Sequence, residues 1–218
     1  MGTVVRRRVR ALAVTVGLLA TSLAVGVPAP AGATTGVTVA GGNGFGSAAN
    51  QLFGPAGVAV DAAEIVYVAD TENNRIQKWF PGTPFGITVA GGGAPGNGAN
   101  QLSGPRSIAV DAAGNVYVAD TGNSRIQRFA PGATTGVTVA GAAGGGSAAN
   151  QLSSPLGVAV DGSGNVFVAD SGNNRVQKWA PGAVTGVTVA GGNGPGAAAN
   201  QLSFPWGVAV VAGTVFVV

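Results

Sequence analysis

Three aspartate–arginine pairs recur along the chain: Asp70 with Arg75, Asp120 with Arg125, and Asp170 with Arg175. A carboxylate and a guanidinium at this spacing can pair across a turn, and a carboxylate can also serve acid–base or metal chemistry. A second set, Asp61, Asp111 and Asp161, repeats as well. Carboxylates gathered near one axis would suit a hard cation such as calcium, but the series breaks at Val211. Residues that return at fixed spacing serve the unit that returns. The first set is therefore read as turn capping and local ion pairing, and the second as strand termination. No catalytic residue, metal ligand or cofactor is expected. The chain has no His and no Cys, which removes the commonest general base, thiolate nucleophiles, cysteine-bound zinc and disulfides. Its only glutamates, Glu64 and Glu72, fall in turn segments.

The elements that carry these residues repeat every fifty positions. GVTVAGG begins at Gly36 and returns, with small changes, at Gly86, Gly136 and Gly186. Asn50-Gln51-Leu52 returns three times, followed each time by a proline at 55, 105, 155 and 205. VYVADTENNRIQKW at Val66 reappears as VYVADTGNSRIQRF and VFVADSGNNRVQKW. Each unit holds four short runs of β-branched and aromatic residues, in the first unit residues 57–60, 66–69, 75–79 and 86–90. Turn residues separate them: Gly114-Asn115, the DTENN-type segments, and Pro81-Gly82. This pattern predicts an up-and-down four-stranded antiparallel sheet in each unit. One such sheet cannot bury its faces alone. Stacking around an axis covers both, which explains why the first strand (Gly57-Val58-Ala59-Val60) is apolar and small instead of alternating. The third strand carries Arg75, Gln77 and Lys78, which places it farther out, nearer water.

Composition fits a folded, strand-rich chain. Of 218 residues, 46% are hydrophobic and only 9% charged, with 39 glycines and no collagen-like period. The basic character is misleading, because Arg6, Arg7, Arg8 and Arg10 supply four of the eleven positive charges. An uncharged apolar run over residues 11–27 follows them, and then a small-residue site at Ala31-Gly32-Ala33. This is the order of a secretory signal peptide, expected over residues 1–33, with the propeller over 34–218. The predicted location is secreted and extracellular, with no membrane association after cleavage.

The run PxGVAVDxxGNVYVADTGNNRIQKW, best matched at residues 105–129 and 155–179, resembles the NHL repeat of β-propellers, especially bacterial secreted ones. The resemblance implies an all-β propeller of four-stranded blades. It covers three full units and part of a fourth, so the ring is expected to be incomplete. It also implies an interaction scaffold, and a secreted non-catalytic protein that binds a protein, peptide or glycan is the expected function. The alternatives are a metal-dependent lactonase-like hydrolase, or a fragment of a longer six-bladed protein without activity alone. A homo-oligomer that completes the propeller is the expected answer to the open ring.

Strand direction puts the long Gly-rich loops, such as residues 41–54 and 91–104, on one face with the DTxNxR turns. Positions that differ between repeats are the recognition candidates there. After the proline stand Ala56, Arg106, Leu156 and Trp206, and before the last proline stands Phe204. Arg106, Leu156, Phe204 and Trp206 are the predicted partner-binding residues. Nucleic acid is not an expected partner, since the chain without its leader is near neutral and lacks a Lys/Arg cluster.

Overall fold

The computed structural model describes residues 36–218. The expected signal segment lies outside them. The first sheet comprises β1 (Pro55–Val60), β2 (Val66–Asp70), β3 (Arg75–Trp79) and β4 (Ile87–Gly91), paired in that order and all antiparallel. The second comprises β5 (Pro105–Val110), β6 (Val116–Asp120), β7 (Arg125–Phe129) and β8 (Val137–Ala140). The third comprises β9 (Pro155–Val160), β10 (Val166–Asp170), β11 (Arg175–Trp179) and β12 (Val187–Gly191). A hairpin, β13 (Val208–Val211) with β14 (Thr214–Val217), begins a fourth. The described residues thus form an open, incomplete all-β propeller.

Turn chemistry follows the residue types. Between the first two strands of each blade, an aspartate folds back on its own hairpin. Asp61 Oδ1 accepts from the backbone N–H of Ala63 and Ile65 at 3.0 Å, and Asp111 and Asp161 do the same in their blades. Where the fourth unit has Val211 instead, the turn shrinks to Ala212-Gly213, with φ of 49° and 80°. Both central residues are left-handed, as a two-residue hairpin with right-handed strand twist requires. The second and third strands are joined by a single 3-10 turn, Thr71–Asn73 in the first blade, closed by a left-handed Asn74 at φ 51°. The SAANQL segment makes a lone turn, with Gln51 N–H donating to Ala48 O at 3.1 Å.

The blades stack through alternate side chains. Tyr67, Ala69, Ile76, Ala90 and Leu102 of the first blade and its following loop bury against Ile108, Val116, Val118 and Phe129 of the second. The same layer recurs between the second and third, with Tyr117, Ala119, Ile126, Ala140 and Leu152 against Val158, Val166, Val168 and Trp179. Polar clips cross the seams: Thr71 Oγ1 donates to Pro105 O and Thr121 Oγ1 to Pro155 O, each at 2.7 Å.

Two expectations need correction. The third strand is not the solvated one: Arg75 and Gln77 are buried, as are Gln127 and Gln177, because the long loop folds over that strand; the Arg75 donors go to the loop, whereas the Gln77 amide nitrogen finds no partner. The solvated strand is the fourth, where Ile87, Val137 and Val187 are exposed. The first strand is covered on both sides only where a blade precedes it. Ile108 and Val158 are 6% and 4% exposed, whereas Val58, at the same position in the first blade, is 66% exposed.

Innermost strands approach each other closely at Gly57. A Cβ there would stand 2.5 Å from Arg106 O and 3.1 Å from the Ser107 Cα. Backbone cannot yield as a flexible side chain can, so Gly57→Ala should push the first two blades apart. We expect a loss of about 1–3 kcal/mol, read as an earlier urea midpoint. An unchanged midpoint would show that the seam is looser than described.

Candidate functional site

The loop face is built around the recurring aspartate–arginine pairs. Asp70 has a fully buried side chain, and its Oδ2 lies 2.6 Å from Arg75 Nε. The same oxygen accepts from Asn73 Nδ2 at 2.8 Å, and Oδ1 accepts from Phe53 N–H at 2.6 Å. Arg75 spends its remaining donors on the long loop, on Ser47 O at 2.7 Å and on Ala48 O and Gln51 O at 3.1 Å. Asn73 Nδ2 also reaches Gly46 O at 2.9 Å. One acid, one base and one amide therefore satisfy five or more backbone groups of a loop that has no ladder of its own. The arrangement repeats around Asp120–Arg125 and Asp170–Arg175, at 2.8 and 2.7 Å. With its amide oxygen turned toward the guanidinium, Gln127 accepts from Arg125 Nη2 at 2.5 Å. The pairing is local, as expected, but Asp70 makes no side-chain cap on its own 3-10 turn; it reaches across to the loop instead.

On this frame the four variable positions take up one structural role. Pro55 pairs with Asp70 and Gly57 with Ala69, which leaves Ala56 as the extra residue of a β-bulge. Arg106 and Leu156 are the corresponding bulged residues of β5 and β9. Trp206 N–H and Gly207 N–H both donate to Val218 O, at 2.7 and 3.2 Å, so two residues again oppose one. A bulge takes a side chain out of the pairing pattern and re-aims it, which leaves its identity free to vary. Arg106 is exposed, Trp206 is 59% exposed, and Leu156, between β5 and β13, is only 9% exposed and offers a partner little area.

Phe204 and Trp206 meet edge to face with ring centroids 6.2 Å apart, and Phe204 is 47% exposed. A second exposed pair, Phe45 with Phe53, has the same centroid separation of 6.2 Å. Sequence reasoning missed this pair as a site. The signal was available, since Phe53 stands where the later repeats carry Ser103, Ser153 and Ser203.

The opposite face carries the hairpin aspartates. Burial pushes the Asp111 carboxyl up, but hydrogen bonds from Asn115, Tyr117 and Ala113 outweigh it and hold the group below its ordinary 3.8. Asp161 is lowered likewise, burial being outweighed by Asn165, Ser163 and the Lys178 charge. Burial, with the nearby Asp61, lifts the Tyr67 hydroxyl to about 12. Each of these carboxylates is engaged by its own hairpin, and no three acidic side chains converge among the described residues.

Comparison with known families decides what the repeat is. The NHL repeat family matches residues 54–79, 102–129 and 152–179, which are the first three strands of each complete blade. The chain carries three NHL repeats. Among solved structures, it resembles streptogramin B lyase at 14% identity and a TM-score of 0.51, over 72% of this chain and 44% of that one. It also resembles a catalytically inactive virginiamycin B lyase from Staphylococcus aureus with quinupristin, at 15% identity and a TM-score of 0.53, over 75% and 48%. A Bacteroides thetaiotaomicron protein of unknown function matches at 17% identity and 0.56, over 75% and 44%. The NHL-repeat chain spans less than half the length of each of these proteins. Comparison with curated proteins gives no match.

These likenesses correct one expectation. Absence of catalysis was inferred from the missing His and Cys and from the structural use of the acids. The streptogramin and virginiamycin lyases are enzymes on this propeller fold, so neither the blades nor the repeat speak against activity. The physical reason is that a propeller's strands specify a scaffold, while chemistry belongs to side chains grafted on its loops. At these identities the likeness is one of fold.

Two predictions concern this frame. Arg125→Leu leaves Asp120 buried without its partner and should cost about 3–5 kcal/mol, whereas Arg125→Lys keeps the charge but loses the fork and should fall between. Equal melting temperatures for all three would refute the role of the pair. In acid, the folded Asp111 and Asp161 hold on to ionisation longer than the unfolded chain does. Their contribution is complete above 3.8 and drains away as pH falls through their lowered folded values. Melting temperature should therefore drop in acid, and the Asp111→Asn, Asp161→Asn double variant should drop less steeply over about pH 2 to 5.

Proposed function

We propose that the protein is an exported recognition module that captures a protein, peptide or glycan on its long-loop face, with Trp206, Phe204 and Arg106 as the contact residues. The observation that carries this reading is the backbone at Phe204. Its φ is 48°, the left-handed conformation that Gly54, Gly104 and Ser154 adopt at the equivalent positions, and only here does a large ring occupy it. A bulky aromatic residue there is an outlier. The turn itself imposes the conformation, with Asn174 Oδ1 accepting from Phe204 N–H as Asn74 Oδ1 does from Gly104 N–H; what is unusual is a bulky ring kept there, and strain of that kind gathers at ligand clamps and active sites. Core packing does not account for it, because the ring is half exposed and meets the equally exposed Trp206. Aromatic and arginine side chains make the strongest interface anchors, and loops on a rigid frame are where such anchors usually stand. Export rests on the arginine-rich start, apolar run and small-residue site of residues 1–33.

The test begins with a peptide-display selection and a glycan array, which supply a ligand. Trp206→Ala should then weaken its capture at least about tenfold, the scale of one anchor residue, with little change in melting temperature. Phe204→Gly should raise thermal stability slightly by relieving the backbone, yet weaken capture. Variants that bind as well as the parent would refute the assignment, and so would a loss of stability equal to the loss of binding.

A further inference from the structure

Three residues of the first unit break the fifty-residue pattern. Phe45 stands where the later units have Pro95, Gly145 and Pro195. Phe53 stands where they have Ser103, Ser153 and Ser203. Glu72 stands where the second and third have Gly122 and Gly172. The blade needs none of the three, since its other copies fold without them. The fold nevertheless brings all three to one corner of the loop face.

Phe45 and Phe53 meet with ring centroids 6.2 Å apart and planes at 61°. Glu72 N–H donates to Phe53 O at 3.1 Å, as Gly122 and Gly172 donate to Ser103 O and Ser153 O at 2.9 Å. The two positions are therefore opposed in each complete blade, and they change together. A Cβ on Gly122 would stand 2.4 Å from Ser103 Oγ, and one on Gly172 as close to Ser153 Oγ. In the first blade the side chain of Phe53 is directed to Phe45 instead, and its opposite position carries a glutamate. The Glu72 stem lies against Gly54, where a Cβ would stand 2.7 Å from Glu72 Cγ.

All three side chains face water, Phe45 being 86% exposed. Pro95 and Gly145, in loops between two complete blades, are exposed as well, and so is Gly122 in the middle blade. The exposure therefore belongs to the loop face itself. Glu72 joins none of the three ion pairs found among the described residues. Exposed rings offer the negative faces of their π systems, and a carboxylate beside them adds a full negative charge. Both attract a cation. A planar guanidinium answers both at once, because it stacks on a ring and forks to a carboxylate, which a compact ammonium cannot do. The chain already uses the ring half of such a contact internally: Lys78 Nζ lies 5.4 Å from the Tyr67 centroid and 4.9 Å from that of Phe80.

We propose that Phe45, Phe53 and Glu72 form a binding site for an arginine side chain of a partner peptide. The site shares no residue with the Trp206, Phe204 and Arg106 anchors and does not depend on them.

Amide chemical shifts of the isotope-labelled chain test this, with the blocked tripeptide Gly-Arg-Gly as probe and its lysine and citrulline counterparts as controls. The arginine peptide should move the Phe45, Phe53, Gly54 and Glu72 amides along a saturable curve with a millimolar midpoint. Lysine should bind about two- to fivefold more weakly. Citrulline, which keeps the shape and loses the charge, should give no saturable shift. The triple variant Phe45→Gly, Phe53→Ser, Glu72→Gly carries the third repeat's residues at all three positions, so it should keep its melting temperature and lose the response. Glu72→Gln, an isosteric change at an exposed position, should by itself weaken binding about twofold or more. Trp206→Ala should leave the response unchanged. No saturation at tens of millimolar, an equal response to lysine or citrulline, an unchanged midpoint in Glu72→Gln, or a response that survives the triple variant would overturn the proposal. A response lost with Trp206→Ala would assign the peptide to the other site and overturn it too.

Discussion

A buried carboxylate facing an arginine holds this architecture in place. The connection that leads into each blade is rich in glycine and has no ladder partner, so its carbonyl and amide groups need an internal host. Asp70 with Arg75, and its two later copies, are that host: one carboxylate oxygen takes a loop N–H and the guanidinium takes loop carbonyls. Without the pair, the loop would lose its anchor and the aspartate would sit charged and uncompensated in a dry seam. Loop face, bulge positions and blade entry all depend on this contact.

Once the loop is held, the strand it feeds begins at a bulge. That single irregularity separates the two jobs of the inner strand. Residues after it alternate into the seams and must stay small or β-branched, as Gly57 shows through its close approach to Arg106 O. The bulged residue is outside that alternation, so Ala, Arg, Leu and Trp can succeed one another there without altering the stack. Structural constraint and chemical variety are thus adjacent in sequence and independent in effect.

Stacking also explains the uneven burial. Chemically equivalent valines and isoleucines range from buried to two-thirds exposed, depending only on whether a blade precedes theirs. The hydrophobic effect acts on area removed from water, and an open arc leaves area at both ends. The described arc is therefore complete in its internal seams and unsatisfied at its boundaries.

Much of this was legible in the residues. The fifty-residue period, the four strands per unit, the hairpin aspartates, the short turn at Val211 and the variable positions after each proline were all readable, because turn chemistry and side-chain alternation are local properties of the chain. Three things were not. The polar third strand looked solvated, and only the folded loop above it showed where the Arg75 donors go. The variable positions looked like ordinary strand starts, but register made them bulges, and register is a relation between strands. Phe45 and Phe53 were individually visible, but their pairing across the loop was not. Local composition determined the elements and their order. Tertiary structure decided which polar groups are buried, which side chains meet and which faces stay open, because each depends on what another part of the chain places opposite them.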